Sequence, residues 1–318
     1  MAAMPETVDV VGVGINATDT IIRLPRFPEF NSKVEILSVD VQPGGQVASA
    51  MVACQRWGMR TRYVGKVGED EAGRMQRAAL EREGVAAEVI VAHGASSQVA
   101  YILVDADSGE RTILWKRDSE IALRPEDLRT EWITQARALH VDGHDTAAAA
   151  TAAKWARLAG IPVTADLDSV YPGVEALLPN VDYMIGSRQF PERVTSESDL
   201  RNSLPLVVRK YKCRLAAATL GSDGVLAWDG SEFTYVPGFE VDVRDTTGAG
   251  DIFHAGFLYG MFRGWELART LEFSCAAAAM NCMAAGARGR IGKIEEIQEL
   301  MRTGRRSEVA FSRESLRG

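Results

Sequence analysis

The stretch Val243-Arg244-Asp245-Thr246-Thr247-Gly248-Ala249-Gly250-Asp251, followed at once by Ile252-Phe253-His254-Ala255-Gly256-Phe257-Leu258-Tyr259-Gly260-Met261-Phe262, leaves this chain few choices. Two threonines able to cap a helix, two flexible glycines and an amphipathic run predict a loop feeding a helix N-terminus. The first amides of such a helix are unpaired and its dipole is positive there, so Gly248, Ala249 and Gly250 offer an anion a cradle. Asp251 falls in the same first turn. A carboxylate beside an anion cradle suits phosphoryl transfer, in which a base faces the attacking hydroxyl. It equally suits a plain helix-end charge beside a plain turn, so other parts of the chain must decide.

Strands and helices alternate along most of the 318 residues, as in an α/β domain with a parallel sheet. Val8 to Gly14 is a short β-branched run that fits a buried parallel strand. Gly12-x-Gly14-x-x-Ala17 imitates a dinucleotide fingerprint, with Glu35 near the distance of a ribose-binding acid, and makes a nicotinamide-dependent dehydrogenase one alternative. That fingerprint must open a helix, whereas Thr20 to Leu24 runs into Pro25 and Pro28 and favours a second extended segment. Gly44-Gly45 opens a small-residue helix from Gln46 to Trp57. Arg62–Val67 reads as a strand and Asp70–Glu83 as a helix. Ala138–Asp142, the 145–158 run and Ile161–Leu167 read as strand, helix and strand, with further strands at 182–186 and 214–220. Ala268 to Ala285 predicts a long helix, Ala285 to Gly289 a flexible loop, and Ile294 to Met301 a last helix.

Four segments stand apart: 19–24, 33–41, 98–105 and 110–116, the last two flanking the turn signal Asp107-Ser108-Gly109. They make either two surface hairpins or one small sheet over an open edge, as in a lid. With the lid, the expected division is 1–15, 43–96 and 119–303 for a large α/β domain, 16–42 and 97–118 for the lid, and 304–318 for a tail frayed from about Gly304. Asp166 and Asp168 fall at a strand's carboxyl end, where they either hold water around magnesium or sit in a solvated turn. Thr219-Leu220-Gly221-Ser222-Asp223-Gly224 is a glycine-bearing turn suited to backbone contacts with a nucleotide.

The net charge of −7 argues against a nucleic-acid or membrane surface. Cys54, Cys213, Cys275 and Cys282 lack metal-ligand spacing and read as reduced core residues. With no apolar run near 18 residues and no signal segment, the expected location is cytoplasmic.

At Asp245-Thr246-Thr247-Gly248-Ala249-Gly250-Asp251 the chain resembles the ribokinase (PfkB-type) family of ATP-dependent sugar kinases, whose signature contains D-T-x-G-A-G-D. Gly44-Gly45, Val64-Gly65-x-Val67-Gly68-x-Asp70 and Thr219-Leu220-Gly221-Ser222-x-Gly224 follow the family's order, so the resemblance covers nearly the whole chain. It implies an α/β fold, a ribokinase-like three-layer α/β/α sandwich with a mainly parallel central sheet plus a small β-sheet lid. It also implies Asp251 as the base and Gly248, Ala249 and Gly250 as the anion hole. The sugar falls to Asp19, Gly44, Gly45, Gln46 and Ser49. The fork of Arg111 suits bidentate contact with an anionic or hydroxyl-rich substrate from the lid, and it equally suits a solvated surface arginine. ATP falls to Thr219, Gly221, Ser222, Gly224 and Thr247, with Mg2+ near Asp166 and Asp168. A monovalent cation such as K+ and a homodimer through the β lid belong to the same expectation. The family's N-x-x-E element is missing, and Ser187-Arg188-Gln189-Phe190 stands there. Ser108-Gly109-Glu110-Arg111-Thr112, Asp142-Gly143-His144 and Asp166-x-Asp168 look more like ketohexokinases and sulfofructose kinases. A non-catalytic sugar-binding regulator is the remaining alternative.

Overall fold

Along the central strands, adjacent apolar residues divide between two cores. The computed structural model describes residues 7–107, 111–308 and 310–311. In chain order the first strands are β1 (Val8–Val13), β2 (Ala17–Leu24), β3 (Ser38–Gly44), β4 (Thr61–Gly68), β5 (Ala86–Ala92), β6 (Val99–Asp105) and β7 (Arg111–Lys116). Then come β8 (Ala136–Asp142), β9 (Val163–Leu167), β10 (Tyr183–Ser187), β11 (Leu215–Thr219), β12 (Val225–Trp228) and β13 (Phe233–Val236). The large sheet has the order β13-β12-β11-β10-β9-β8-β1-β4-β5, parallel from β11 to β5 and antiparallel at the β12–β13 edge. Val11, Leu139, Met184 and Ala216 face a core shared with the Thr146–Leu158 and Leu200–Tyr211 helices. Val10, Ala138, Ile185 and Ala217 face the Gln46–Arg56, Ala249–Phe262 and Leu267–Asn281 helices. The period-2 alternation of strand side chains thus gives a helix layer on each face.

The second sheet has the order β3-β2-β6-β7, with β2 and β6 parallel and both outer pairs antiparallel. Pro43 lies in β3, an edge strand, where a missing N–H costs no ladder bond. Cross-strand partners Asp19, Ala100, Trp115 and Gln42 form one row; Ile21, Ile102, Ile113 and Asp40 form the next. On this face Ile21, Ala100, Ile102 and Val104 form a small core of their own, while Ile113 and Trp115 on the β7 edge stay exposed.

The chain departs from its sequence pattern in several places. Strand β3 of the small sheet is Ser38–Gly44, not 33–41, because its register is set by pairing along β2 from Arg23↔Ser38 to Ala17↔Gly44. The Leu267–Asn281 helix stops before Ala285: Asn281 turns its amide back to Thr247 O and Ala287 O and accepts from Arg290 N–H. Strand β5 and the Leu200–Tyr211 helix carry no clear sequence signal, the latter because Pro205 interrupts it. The turn signal at Asp107-Ser108-Gly109 lies mostly outside the described residues. No helix among those described is long and apolar enough to cross a membrane. All four cysteines are buried and free.

Phe273 is fully buried and ringed by Trp57, Tyr259 and Trp265 at centroid distances of 5.5, 5.1 and 5.4 Å. This group ties the Gln46–Arg56 helix to the Ala249–Phe262 helix, whose first turn carries Asp251. Phe273→Ala is expected to cost about 3–5 kcal/mol in urea unfolding. A loss below about 1 kcal/mol would show that the aromatic group does not anchor these helices.

Candidate active site

In the large sheet the chain moves outward from β1 in one direction through β4 and β5, then in the other through β8, β9 and β10. Beyond the carboxyl ends of strands at such a switch point lies the natural crevice of an open α/β sheet. The 243–251 loop closes it. Asp245, 2% exposed, accepts from Thr247 N–H at 2.9 Å, the Thr247 hydroxyl at 2.7 Å and Gly286 N–H at 2.8 Å. The threonines therefore do not cap the helix as the sequence suggests: Gly248 is the N-cap, and Thr247, one of the expected nucleotide ligands, spends its hydroxyl on Asp245. Gly248 has φ 74°, and a Cβ there would strike the Ala287 backbone, so only glycine fits. The amides of Gly248, Gly250 and Asp251 have no backbone partner among the described residues, whereas Ala249 N–H reaches Thr246 O at 3.3 Å. Gly250 has open space around its Cα. A cavity of about 230 Å³ adjoins these amides, lined by Thr219, Gly221, Ser222, Gly224, Thr246 and Gly250 among others. Four of the five expected nucleotide residues line it; Thr246 takes the place of Thr247.

Asp251 is 8% exposed. Burial, with the neighbouring charges of Asp166 and Asp19, lifts its carboxyl well above the ordinary carboxylate range, and Arg288 opposes the shift. Burial also raises Asp19 to about 6, against the pull of Arg288. Asp19 lies against Gly44, where a Cβ would collide with its carboxylate, and Gly45 turns at φ 89° against the Asn16 backbone. This close packing is why both glycines are required. Gln46 donates from Nε2 to Asp166 at 3.2 Å. Ser49 is fully buried and accepts from Arg288 Nε at 3.2 Å, while Arg288 Nη2 donates to Gly44 O at 3.1 Å. Arg111 is exposed in β7 and pairs with Val104, on the face that carries Asp19 but two rows removed from it.

The acid pair also separates. Asp166 accepts from Gln46 on one oxygen and pairs with His254 Nε2 at 3.2 Å on the other. Asp168 lies past the end of β9, where burial and Asp166 raise it to about 6, and takes a long bond of 3.4 Å from the Tyr171 hydroxyl. Tyr171 meets His144 Nε2 at 2.8 Å. Where N-x-x-E is missing, the Ser187 hydroxyl bonds Asp168 O at 3.0 Å and Arg188 pairs with Asp223 of the glycine turn at 3.4 Å. No group of three or more His, Cys, Asp or Glu among the described residues could hold a metal alone. Several carboxylates against few cations nevertheless fit Mg2+ shared with phosphate oxygens, and of the Asp166 and Asp168 pair it is Asp168 that keeps an oxygen free of side-chain partners.

Several residues escaped the sequence reading. His254 stands three residues after Asp251, on the same helix face, and that spacing was a usable signal. Arg288 had none: it lies 239 residues from Ser49, inside a segment that reads as a flexible loop yet packs Ala287 at 2% exposure. Asn16, buried with both amide atoms unpartnered, sits beside Gly45. The Gly12-x-Gly14-x-x-Ala17 stretch leads into β2 rather than a helix, and the Asp142 carboxylate and Val47 fill the space over Gly14, which removes the dinucleotide reading.

Because folding raises the Asp251 pKa, the native state binds more protons than the unfolded chain above pH 4, and stability falls as pH rises. Asp251→Asn removes that penalty. The variant is expected to melt roughly 2–5 °C above the parent at pH 7, with the gap closing toward pH 4. A lower melting temperature at pH 7 would show that the carboxylate is stabilised in place.

The model of the pfkB family of carbohydrate kinases matches residues 8–292. The ATP-dependent ribose-1-phosphate kinase of Halopiger xanaduensis is 30% identical over 293 residues, spanning 88% of this chain and 94% of that protein. The ribokinase of Bacillus subtilis is 24% identical over 91% of this chain and 98% of its own. The structure of Arabidopsis thaliana ribokinase complexed with ribose and ATP superimposes with a TM-score of 0.77 at 22% identity, covering 93% of this chain and 99% of the other.

Proposed function

The chain belongs to the pfkB family of carbohydrate kinases and is an ATP-dependent sugar kinase, and we propose that Asp251 is its general base, acting on a hydroxyl of a ketose or ketose-like sugar. The observation that carries this is the position of Asp251, one residue beyond the unpaired Gly248 and Gly250 amides, with the 230 Å³ cavity on one side and Asp19 on the other. In this reading ATP occupies the cavity, its adenine against the apolar wall and its γ-phosphate at the amides. The Arabidopsis ribokinase holds ATP and ribose together on the same fold.

The sugar lies between Asp251 and the small sheet, with Asp19, Gln46 and the Gly44-Gly45 backbone taking its other hydroxyls. Ser49 contributes through Arg288. A base with a raised pKa accepts a hydroxyl proton more readily than an ordinary carboxylate, and the helix amides stabilise charge on the transferring phosphoryl group. Asp168 is the residue that would hold Mg2+ through water; bound there, the ion would neutralise charge on the phosphate oxygens. Asp245, buried and bonded only to N–H and O–H groups among the described residues, is a charge that a monovalent cation such as K+ would offset. Arg288, between Asp19 and Asp251, favours a second reading in which the sugar carries an anionic group, as ribose 1-phosphate does for the Halopiger kinase. Arg111 would serve such a group only from the far end of the small sheet.

Asp251→Asn is expected to lower kcat by roughly 10²–10⁴ with ATP binding retained. Asp19→Ala should raise the sugar KM roughly tenfold with little change for ATP. ADP release over ketoses, aldoses, sugar acids, sugar phosphates and nucleosides measures both, and identifies the substrate. Near-parental kcat in Asp251→Asn would return the residue to a helix-end charge.

The other face of the small sheet exposes Val39, Val41, Tyr101 and Leu114. We assign this apolar face to a second copy of the chain, giving a homodimer through the lid. Sedimentation equilibrium should give a dimer for the parent and a monomer for Val41→Asp/Leu114→Asp; a monomeric parent at micromolar concentration overturns the assignment.

A further inference from the structure

After the Ile294–Thr303 helix the chain turns back along the wall of the nucleotide cavity, where the sequence suggests only a frayed tail. Glu240 N–H donates to Arg305 O at 2.9 Å and Ser307 N–H donates to Gly238 O at 3.0 Å, forming an antiparallel bridge between Phe239 and Arg306. Gly238 and Phe239 line the cavity, and Arg306 does not. The Arg306 guanidinium lies 3.7 Å over the Phe239 ring and donates to Pro237 O at 3.4 Å. It also pairs with Glu272, one turn before Cys275, another cavity residue. Further on, Ala310 N–H donates to the Tyr235 hydroxyl at 3.0 Å, which itself donates to Asp223 O at 2.8 Å. Asp223 belongs to the glycine turn on the cavity's other side. One short segment therefore bonds one wall directly and reaches the other through the Tyr235 hydroxyl. The walls are pressed together where they meet, since a Cβ on Gly238 would strike Ser222 O.

We propose that residues 305–308 and 310–311 form a strap that sets the width of the nucleotide cavity, with Arg306 as its positioning residue. A cation over the Phe239 face, fixed at its other side by Glu272, holds Phe239 and Gly238 against the glycine turn before ATP arrives. A wall that is already ordered spares the nucleotide the entropy of ordering it, so the strap acts on ATP affinity and leaves the sugar and the chemical step alone. The inference rests on the reading of this cavity as the ATP site.

The test is calorimetric titration of ATP without sugar into the parent, Arg306→Ala, Arg306→Lys and Arg305→Ala, followed by steady-state kinetics. Arg306→Ala should weaken ATP roughly three- to tenfold in both Kd and KM, with sugar KM and kcat at saturating ATP unchanged. Arg306→Lys, which keeps a cation over the ring, should recover part of that loss. Arg305, 83% exposed at its side chain, should be neutral. If Arg306→Ala melts near the assay temperature, Tyr235→Phe carries the test: losing the hydroxyl between Ala310 and Asp223 should weaken ATP roughly two- to fivefold. A parent that binds no ATP sinks the nucleotide reading itself. A parent that binds ATP, with Arg306→Ala or Tyr235→Phe binding it equally well or weakening sugar and ATP alike, sinks only the strap.

Discussion

Carboxylates of Asp19, Asp166, Asp168 and Asp251 are drawn to one place at the carboxyl ends of the parallel strands, with Arg288 and His254 set against them. Bringing like charges out of water is unfavourable, and the shifts follow: Asp251, Asp19 and Asp168 are all raised. Asp166 is the exception. His254 and Gln46 hold it charged and below the usual carboxylate range, against the burial that would raise it. The site is thus sorted into one fixed anion and three acids that take protons easily, an arrangement stable sites avoid and reactive ones use.

That concentration of charge needs a rigid frame. Asp245 and Asn281 supply it from opposite sides of the loop, Asp245 accepting from Thr247 and Gly286, and Asn281 donating to Thr247 O and Ala287 O. Gly248 fits beneath Ala287 only because it has no side chain. The loop's amides therefore point outward in a fixed geometry before any anion is present, and electrostatic preorganisation of this kind costs nothing at the moment of reaction. The second helix of the pair, Leu267–Asn281, contributes both the aromatic anchor at Phe273 and the amide at Asn281, so fold stability and site geometry share one element.

Much of this architecture was legible in the sequence because it rests on local rules. The alternation of β-branched runs with capped helices marks the layers; Asp70, for instance, caps the Glu71–Arg82 helix by accepting from Gly73 N–H. The Gly248-Ala249-Gly250-Asp251 helix entry and the Gly221 to Gly224 turn are short, and each carries its conformational requirement in its own residues. The family and the kinase activity follow from those motifs and their order.

What local rules do not reach are contacts made across long stretches of chain. The resemblance gives Ser49 to the sugar and Thr247 to the nucleotide; in the structure Ser49 accepts from Arg288 and the Thr247 hydroxyl donates to Asp245, neither of which the sequence announces. The supposed tail is hydrogen-bonded to Gly238 and Glu240. Hydrogen-bond donors and acceptors choose partners by proximity in space, and a polar side chain shows in sequence only that it needs a partner, not which one. Composition and periodicity determined the layers, the helix entry and the acid at its first turn. Tertiary packing alone decided which acids share charge, which polar groups are already spoken for, and which remain to meet a substrate.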